Sequence, residues 1–217
     1  MNVDDYVSES GRGPYQAWNV PDLVPLGTQP VKLLLVLESP HRDELKAVTP
    51  VAGGAGTSAL GYLLQAPTKG DSLGAYIRRK HDAGDYRVAI VNVSTVPLQM
   101  KAFGTGSRPG LSAHDWDVVR RVRTSTVRSV TGTTCAEANQ AGDVLLRVLQ
   151  AKVDALTLDA DCVVAPCGVF AQRFIRELRR LPVAAPLKVV HPARNQWPNG
   201  GNHPNLLALR ELFALNT

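Results

Sequence analysis

Three residues far apart in this chain, Glu38, Asn92 and His191, carry side chains able to do chemistry, and each stands where an apolar run stops. Glu38 ends the run V-K-L-L-L-V-L, Asn92 lies near the end of R-V-A-I-V-N-V, and His191 follows L-K-V-V. A near-continuous apolar run is what a strand buried on both faces of a parallel sheet requires. The carboxyl ends of such strands share one edge of the sheet, beside the crevice where ligands bind. A carboxylate, a carboxamide and an imidazole would therefore converge there, with the carboxylate placed as a general base. Each also has a structural reading: Glu38 as a helix cap, Asn92 as a pin for the loop after it, His191-Pro192 as a turn. Their coincidence on one edge favours a site.

The elements that must position them can be read in order. Val31–Leu37 is strand one, and Ser39-Pro40 breaks it because proline cannot donate to a sheet ladder. A loop with Pro50, Gly53, Gly54 and Gly56 follows, and Thr57 or Ser58 caps a helix running to about Gln65. Ser72–Ala83 is a second helix, ended by Gly84. Strand two is Arg87–Val93, followed by a long loop, Ser94–Ser112, of the kind usually functional or disordered. A helix starts near Ala113, and a longer one spans roughly Cys135–Leu156, with Val144, Leu145, Val148 and Leu149 at helical spacing. Strand three is Cys162–Ala165, and Pro166-Cys167-Gly168 turns into a helix over Val169–Leu181. Strand four is Leu187–Val190, and the last helix runs from about Pro204 to Leu215. Residues 1–30 read as an irregular leader anchored by Tyr15 and Trp18. Strands alternating with helices predict an α/β fold, a three-layer α/β/α sandwich with a mostly parallel four-stranded sheet, as a single domain over 1–217.

A chain of 217 residues can bury a full α/β core. Its hydrophobic fraction of 44% and charged fraction of 20% are those of a water-soluble globular protein. No run approaches the roughly 18 apolar residues of a membrane span, and the acidic N-terminus M-N-V-D-D-Y-V-S-E-S is no secretory signal. The expected location is the cytoplasm. The net charge of +5 is mild but clustered: Arg120, Arg121, Arg123 and Arg128 form one group, and Arg173, Arg176, Arg179 and Arg180 another. Such groups suit a phosphate backbone or, equally, a solvated helix face. Cys135, Cys162 and Cys167 are too few for a disulfide framework or a four-thiolate cluster, and their spacing fits no zinc site.

Taken in order, these segments resemble the uracil-DNA glycosylase superfamily. L-E-S-P-H-R-D-E is similar to the G-E-A-P-G-x-x-E motif of its thermostable, family-4-type branch. T-P-V-A-G-G-A-G-T-S-A-L-G-Y-L-L resembles the Pro-Phe-Val-Gly-x-Ala-Gly segment that follows there. A-I-V-N-V-S-T-V-P resembles the strand ending in Thr-Asn-Val-Val, and D-C-V-V-A-P-C-G-V-F-A-Q-R-F-I the strand-Leu-Gly-x-x-Ala-helix segment. V-V-H-P-A-R-N-Q-W resembles the closing His-Pro motif. The resemblance runs from about Val31 to the C-terminus.

It implies a metal-free, cofactor-free monofunctional DNA glycosylase that hydrolyses an N-glycosidic bond and leaves an abasic site. Glu38 matches the carboxylate that orients or deprotonates water near an oxocarbenium-like sugar. His191 matches the imidazole that donates to the departing base, and Asn92 the carboxamide that reads its edge. Ser39, Pro40, His41 and Val51 fall in the substrate-binding motifs, and Gly53 and Gly54 in a loop whose backbone amides could approach a phosphate. Arg194, Asn195, Gln196 and Trp197 match the loop that enters DNA around a flipped nucleotide; Trp197 fits a wedge or a buried anchor. The expected partner is DNA, engaged by a monomer.

The chain departs from the pattern at Leu37 for glycine, at His41, at Val51 for the stacking phenylalanine, and in lacking the cluster cysteines. Losing that ring removes stacking worth about 1–3 kcal/mol per base. The wider pocket would admit uracil or a bulkier modified pyrimidine, such as the hypermodified cytosines of phage DNA that some bacterial members attack in defence. Two alternatives stand beside this: a non-catalytic nucleic-acid-binding protein of the same fold, and a hydrolase of small nucleosides.

Overall fold

In the computed structural model, which describes residues 2–8, 13–181 and 185–217, three parallel strands form the centre. They are β1 (Val31–Leu37), β2 (Val88–Asn92) and β3 (Leu158–Pro166), in the order β2-β1-β3. Every β1 residue except Lys32 is buried, as is all of β2. Successive side chains on a strand point to opposite faces, so the apolar runs divide into two cores. Leu34, Val36, Ala89, Val91 and Val164 belong to one core, together with α1 (Val3–Ser8), α5 (Ala113–Thr124), α6 (Ala136–Asp154) and α7 (Val169–Glu177). Leu33, Leu35, Leu37, Ile90 and Ala165 belong to the other, with α3 (Gly53–Leu64), α4 (Leu73–Asp82) and α9 (Pro204–Leu215). Each of these buried leucines, isoleucines and valines contributes about 1.5–3 kcal/mol relative to exposure.

The expected fourth strand is reduced to one parallel bridge between Cys167 and Val189, so the sheet has three strands among the described residues. The cause is covalent. Leu187 N–H donates to the Val164 carbonyl (2.9 Å), Val189 N–H to Pro166 (3.3 Å), and Gly168 N–H to Val189 (2.8 Å). The rung missing from this parallel ladder is the one that Pro166, which has no N–H, would have to donate.

Helix boundaries follow local chemistry. Ser72 caps α4, its Oγ accepting the Ala75 N–H (3.3 Å). Ser112 and Asp115 cap α5 reciprocally, through Asp115 N–H to Ser112 Oγ (3.1 Å) and Ser112 N–H to Asp115 Oδ2 (2.9 Å). α3 starts earlier than Thr57 or Ser58 would place it, at Gly53, with Ala52 as its N-cap. A Cβ at Gly56 would lie 1.7 Å from the Val51 carbonyl oxygen, so the bare backbone there lets the first turn press against the preceding loop. Two short helices, α2 (Arg42–Ala47) and α8 (Gln196–Asn199), stand in segments read as loop. α7 stops at Glu177, short of Leu181, because Leu178 turns extended.

The leader is more regular than its composition suggests. Residues 1 and 9–12 lie outside the described part. The remainder holds α1 and a 3₁₀ turn at Gly13–Trp18, and Tyr6 and Tyr15 pack edge to face in the core, 5.3 Å apart. Tyr6 donates to the Pro97 carbonyl (2.7 Å) and Trp18 to that of Ser107 (3.1 Å). The leader thereby clamps the long loop after β2. No described helix is long and apolar enough to cross a membrane.

Candidate active site

A cavity of about 710 Å³ opens beyond the carboxyl ends of the strands. The register pairs Leu37 with Asn92, so Glu38 emerges one residue past the side chain of its neighbouring strand. The single bridge at Val189 brings His191 to the same edge beside Cys167 and Gly168. Glu38, Asn92 and His191 all line this one cavity.

Asn92 is the most telling of the three. It is fully buried, and neither Oδ1 nor Nδ2 has a partner among the described residues. Its backbone, in contrast, is held on both sides. Its N–H donates to Asp22 (2.7 Å), its carbonyl accepts from Lys152 (2.7 Å), and Asp22 and Lys152 form an ion pair at 2.9 Å. Burial pushes the Asp22 carboxyl up, against the lowering charge of Lys152. A buried amide without hydrogen bonds costs about 1–3 kcal/mol, so an unpaired one in a cavity wall marks a place where a ligand completes the structure.

Glu38 is mostly buried and its Oε1 accepts from Arg123 Nε at 2.5 Å. That bond engages one of its two carboxylate oxygens. His191 is tuned toward the neutral imidazole. Burial, opposed by the charge of Glu38, lowers its pKa below the ordinary value. Its Nδ1 accepts the Ala193 N–H (3.1 Å), which leaves the proton on Nε2 as a donor. The position is tight: a Cβ at Gly168, whose φ is +90°, would lie 3.0 Å from His191 Cβ.

The segment after β1 divides between lining and support. Ser39, His41 and Val51 line the cavity; Pro40 is buried outside the lining, and Gly53 and Gly54 lie in the first turn of α3 rather than in an open phosphate loop. Ser39 Oγ accepts the Leu98 N–H (3.3 Å) and so joins β1 to the long loop. Glu44, which sequence reasoning left without a role, organises the turn. Its Oε2 accepts the His41 N–H (2.7 Å) and its Oε1 the Val51 N–H (2.6 Å). The second bond holds Val51 at φ +51°, a left-handed conformation unfavourable for a β-branched residue, in the cavity wall. Burial raises the Glu44 carboxyl to about 7 even against these two donors. The spacing from His41 to Glu44 is that of a capping box and was the available signal.

The loop expected to enter DNA is split. Arg194, Asn195 and Gln196 are exposed, Arg194 and Asn195 at left-handed φ, and Arg194 and Gln196 line the cavity mouth. Trp197 is 1% exposed, donates to the Val190 carbonyl (2.8 Å) and meets the Tyr62 ring edge-on; it is a core anchor and not a wedge. Burial won because an indole on a short helix facing α3 removes its large apolar surface from water.

The arginine clusters are largely occupied within the fold. Arg120 and Arg121 pair with Asp117, Arg123 with Glu38, and Arg176 donates to the Arg128 carbonyl. Arg173 is buried, donates to the Val122 and Ser125 carbonyls at the end of α5, and lies over Phe170 and Phe174. Arg128, Arg179 and Arg180 are exposed, as are the paired Arg120, Arg121 and Arg176. Charge counting could not distinguish these uses.

Two further wall residues lacked any sequence signal. Lys101 and Gln99, both in the loop after β2, line the cavity, and Gln99 Oε1 is buried without a partner among the described residues. Among the described residues no three His, Cys, Asp or Glu side chains are grouped to hold a metal ion. Compared with known proteins, the chain matches no protein-family model and no curated protein.

Proposed function

We propose that this protein is a DNA glycosylase of the uracil-DNA glycosylase superfamily, hydrolysing the N-glycosidic bond of a flipped-out uracil or modified pyrimidine. The observation that carries this reading is the Asn92 carboxamide, fully buried and unpaired, in the same cavity as Glu38 and His191. A carboxamide offers one donor and one acceptor side by side, which matches two adjacent groups on a pyrimidine edge. His191 Nε2–H donates to the base oxygen on which negative charge gathers as the bond breaks. Glu38 pairs with Arg123 through one oxygen and presents the other to a water. The water oxygen forms a bond to C1′ while the C1′–N bond breaks. The electron pair of that bond leaves with the base, and the proton of the water passes to Glu38 or to solvent. Arg194, Asn195 and Gln196 at the mouth would meet the DNA around the extruded nucleotide, with the protein acting as a monomer in the cytoplasm.

The test is incubation with oligonucleotides carrying uracil or modified cytosines, followed by alkali to cleave abasic sites. Alkali-labile strands are expected from at least one substrate. An intact, folded protein that binds the oligonucleotides and yields none would remove the hydrolytic reading.

A further inference from the structure

Resting on that reading, we infer that the turn between α5 and α6 and the end of α7 form a DNA-contact surface outside the cavity. There Arg128, Arg176, Arg179 and Arg180 hold the phosphate backbone of the strand that delivers its nucleotide. The four stand on one stretch of surface. Arg176 Nη2 donates to the Arg128 carbonyl (2.6 Å), which joins α7 to the turn, and Arg179 and Arg180 follow within four positions. All four are exposed, and none is in an ion pair among the described residues. On the neighbouring helices Arg120 and Arg121 pair with Asp117, and Arg147 with Asp143. A guanidinium that is not neutralised in place keeps its charge and its fork of donors for a phosphate.

An exposed arginine by itself is ordinary. These differ in how the backbone beneath them is held and in where it stands. Gln150 of α6 accepts the Arg179 N–H (2.9 Å) and donates to the Arg180 carbonyl (3.1 Å). Glu177 turns both carboxylate oxygens to the turn, accepting the Val130 N–H (2.7 Å) and the Ser129 hydroxyl (3.2 Å). Two segments distant in the chain thereby become one platform. Only Arg176 lies in the last turn of a helix, where a cation also offsets the helix dipole. The other three lie outside the helices and gain nothing from that effect. The platform borders the cavity. Thr124, Ser125 and Thr126 line it, and Arg128 comes two residues later; Val169 lines it at the start of α7, and Arg176 comes seven residues later. Seven residues advance about 10 Å along a helix, and successive base pairs advance about 3.4 Å, so the platform reaches phosphates about three steps from the extruded nucleotide.

The experiment measures binding of a labelled duplex of about 20 base pairs by fluorescence anisotropy, between about 50 and 200 mM salt, for the wild type and for Arg128→Gln/Arg179→Gln/Arg180→Gln. The fold uses only the backbone of these three residues, so the variant is expected to keep the wild-type melting temperature. The slope of log affinity against log salt is expected to become shallower by about 0.9 for each arginine that meets a phosphate, about 2–3 in all. If the triple variant melts early, Arg179→Gln/Arg180→Gln carries the same test with a change of about 2. Lys32→Gln/Lys69→Gln, at the start of β1 and between α3 and α4, is the control for net charge and is expected to keep the wild-type slope. An unchanged slope in the arginine variants, or an equal change per residue in the control, overturns the inference. So does a wild type that binds phosphatidylserine vesicles but no duplex. Alkali treatment of a uracil-containing duplex tests the glycosylase reading separately. Abasic sites with an unchanged slope leave that reading and remove the platform; a shallower slope without abasic sites leaves the platform and removes hydrolysis of uracil.

Discussion

The seam between α5 and α7 and the cavity beyond the strand ends both bury polar side chains, and they provide for them to different degrees. In the seam, Arg173 gives two of its three nitrogens to the Val122 and Ser125 carbonyls and lies over two phenylalanine rings, with only its Nε left without a partner among the described residues. In the cavity, Asn92 is buried as completely and gives its side chain to nothing among the described residues. Burial alone therefore does not mark a site. A buried polar side chain most of whose partners are present holds the fold together; one in a cavity wall with both side-chain atoms unpartnered leaves them for a ligand or water to complete.

The contrast can be broken most sharply at the reacting groups. Glu38→Ala and His191→Ala are each expected to lower base excision by about 10²–10⁴-fold with little change in circular dichroism, as removal of a positioned acid–base group or a charge-stabilising donor does. Near wild-type excision in either variant would show that the cavity works without it. At the seam, Arg173→Met is expected to destabilise the protein by about 2–5 kcal/mol, because two carbonyls at the end of α5 lose their donors. Urea unfolding reads this directly, and a midpoint close to wild type would refute the structural use of Arg173.

Asn92→Leu should act with the opposite sign on stability. Replacing an unpaired buried carboxamide by an apolar group of similar size is expected to stabilise the fold by about 1–2 kcal/mol while excision is lost. A destabilised Asn92→Leu would mean that the carboxamide is already satisfied inside the fold. The smallest effect is on the pH profile. Burial lowers the His191 pKa below the ordinary imidazole value, so the ring is neutral at pH 7. Protonation of Nδ1, which competes with the Ala193 N–H, is expected to make excision decline only on acidification past the ordinary imidazole value of about 6.5. A rate that instead increases as the solution is acidified would remove the neutral imidazole from its role.

Much of the fold was legible because its signals are local. The apolar runs placed β1 at its observed bounds and β2 within one residue at each end, and the serines before α4 and α5 carry their own caps. The same strand-end logic brought Glu38, Asn92 and His191 to one cavity, since a parallel sheet aligns its carboxyl ends. The fourth strand was misjudged for a reason that was present in the chain. Pro166 belongs to β3, but its missing N–H weakens the neighbouring strand and not its own. Trp197 fell within the loop matched to DNA entry, although a buried anchor is the commoner use of a tryptophan, and its neighbours show that use.

The sequence by itself determined where strands end and which side chains stand at those ends, because hydrophobic period and proline chemistry act over a few residues. Only the tertiary structure decided which of those side chains find partners. Arg123 reaches Glu38 across 85 positions, Lys152 reaches the Asn92 carbonyl across 60, and no span of sequence encodes that the Asn92 amide meets no partner among the described residues. Pairing of buried polar groups is fixed by the packing of whole helices against the sheet, and it is that packing which separates a residue that holds the fold from one that waits for a ligand.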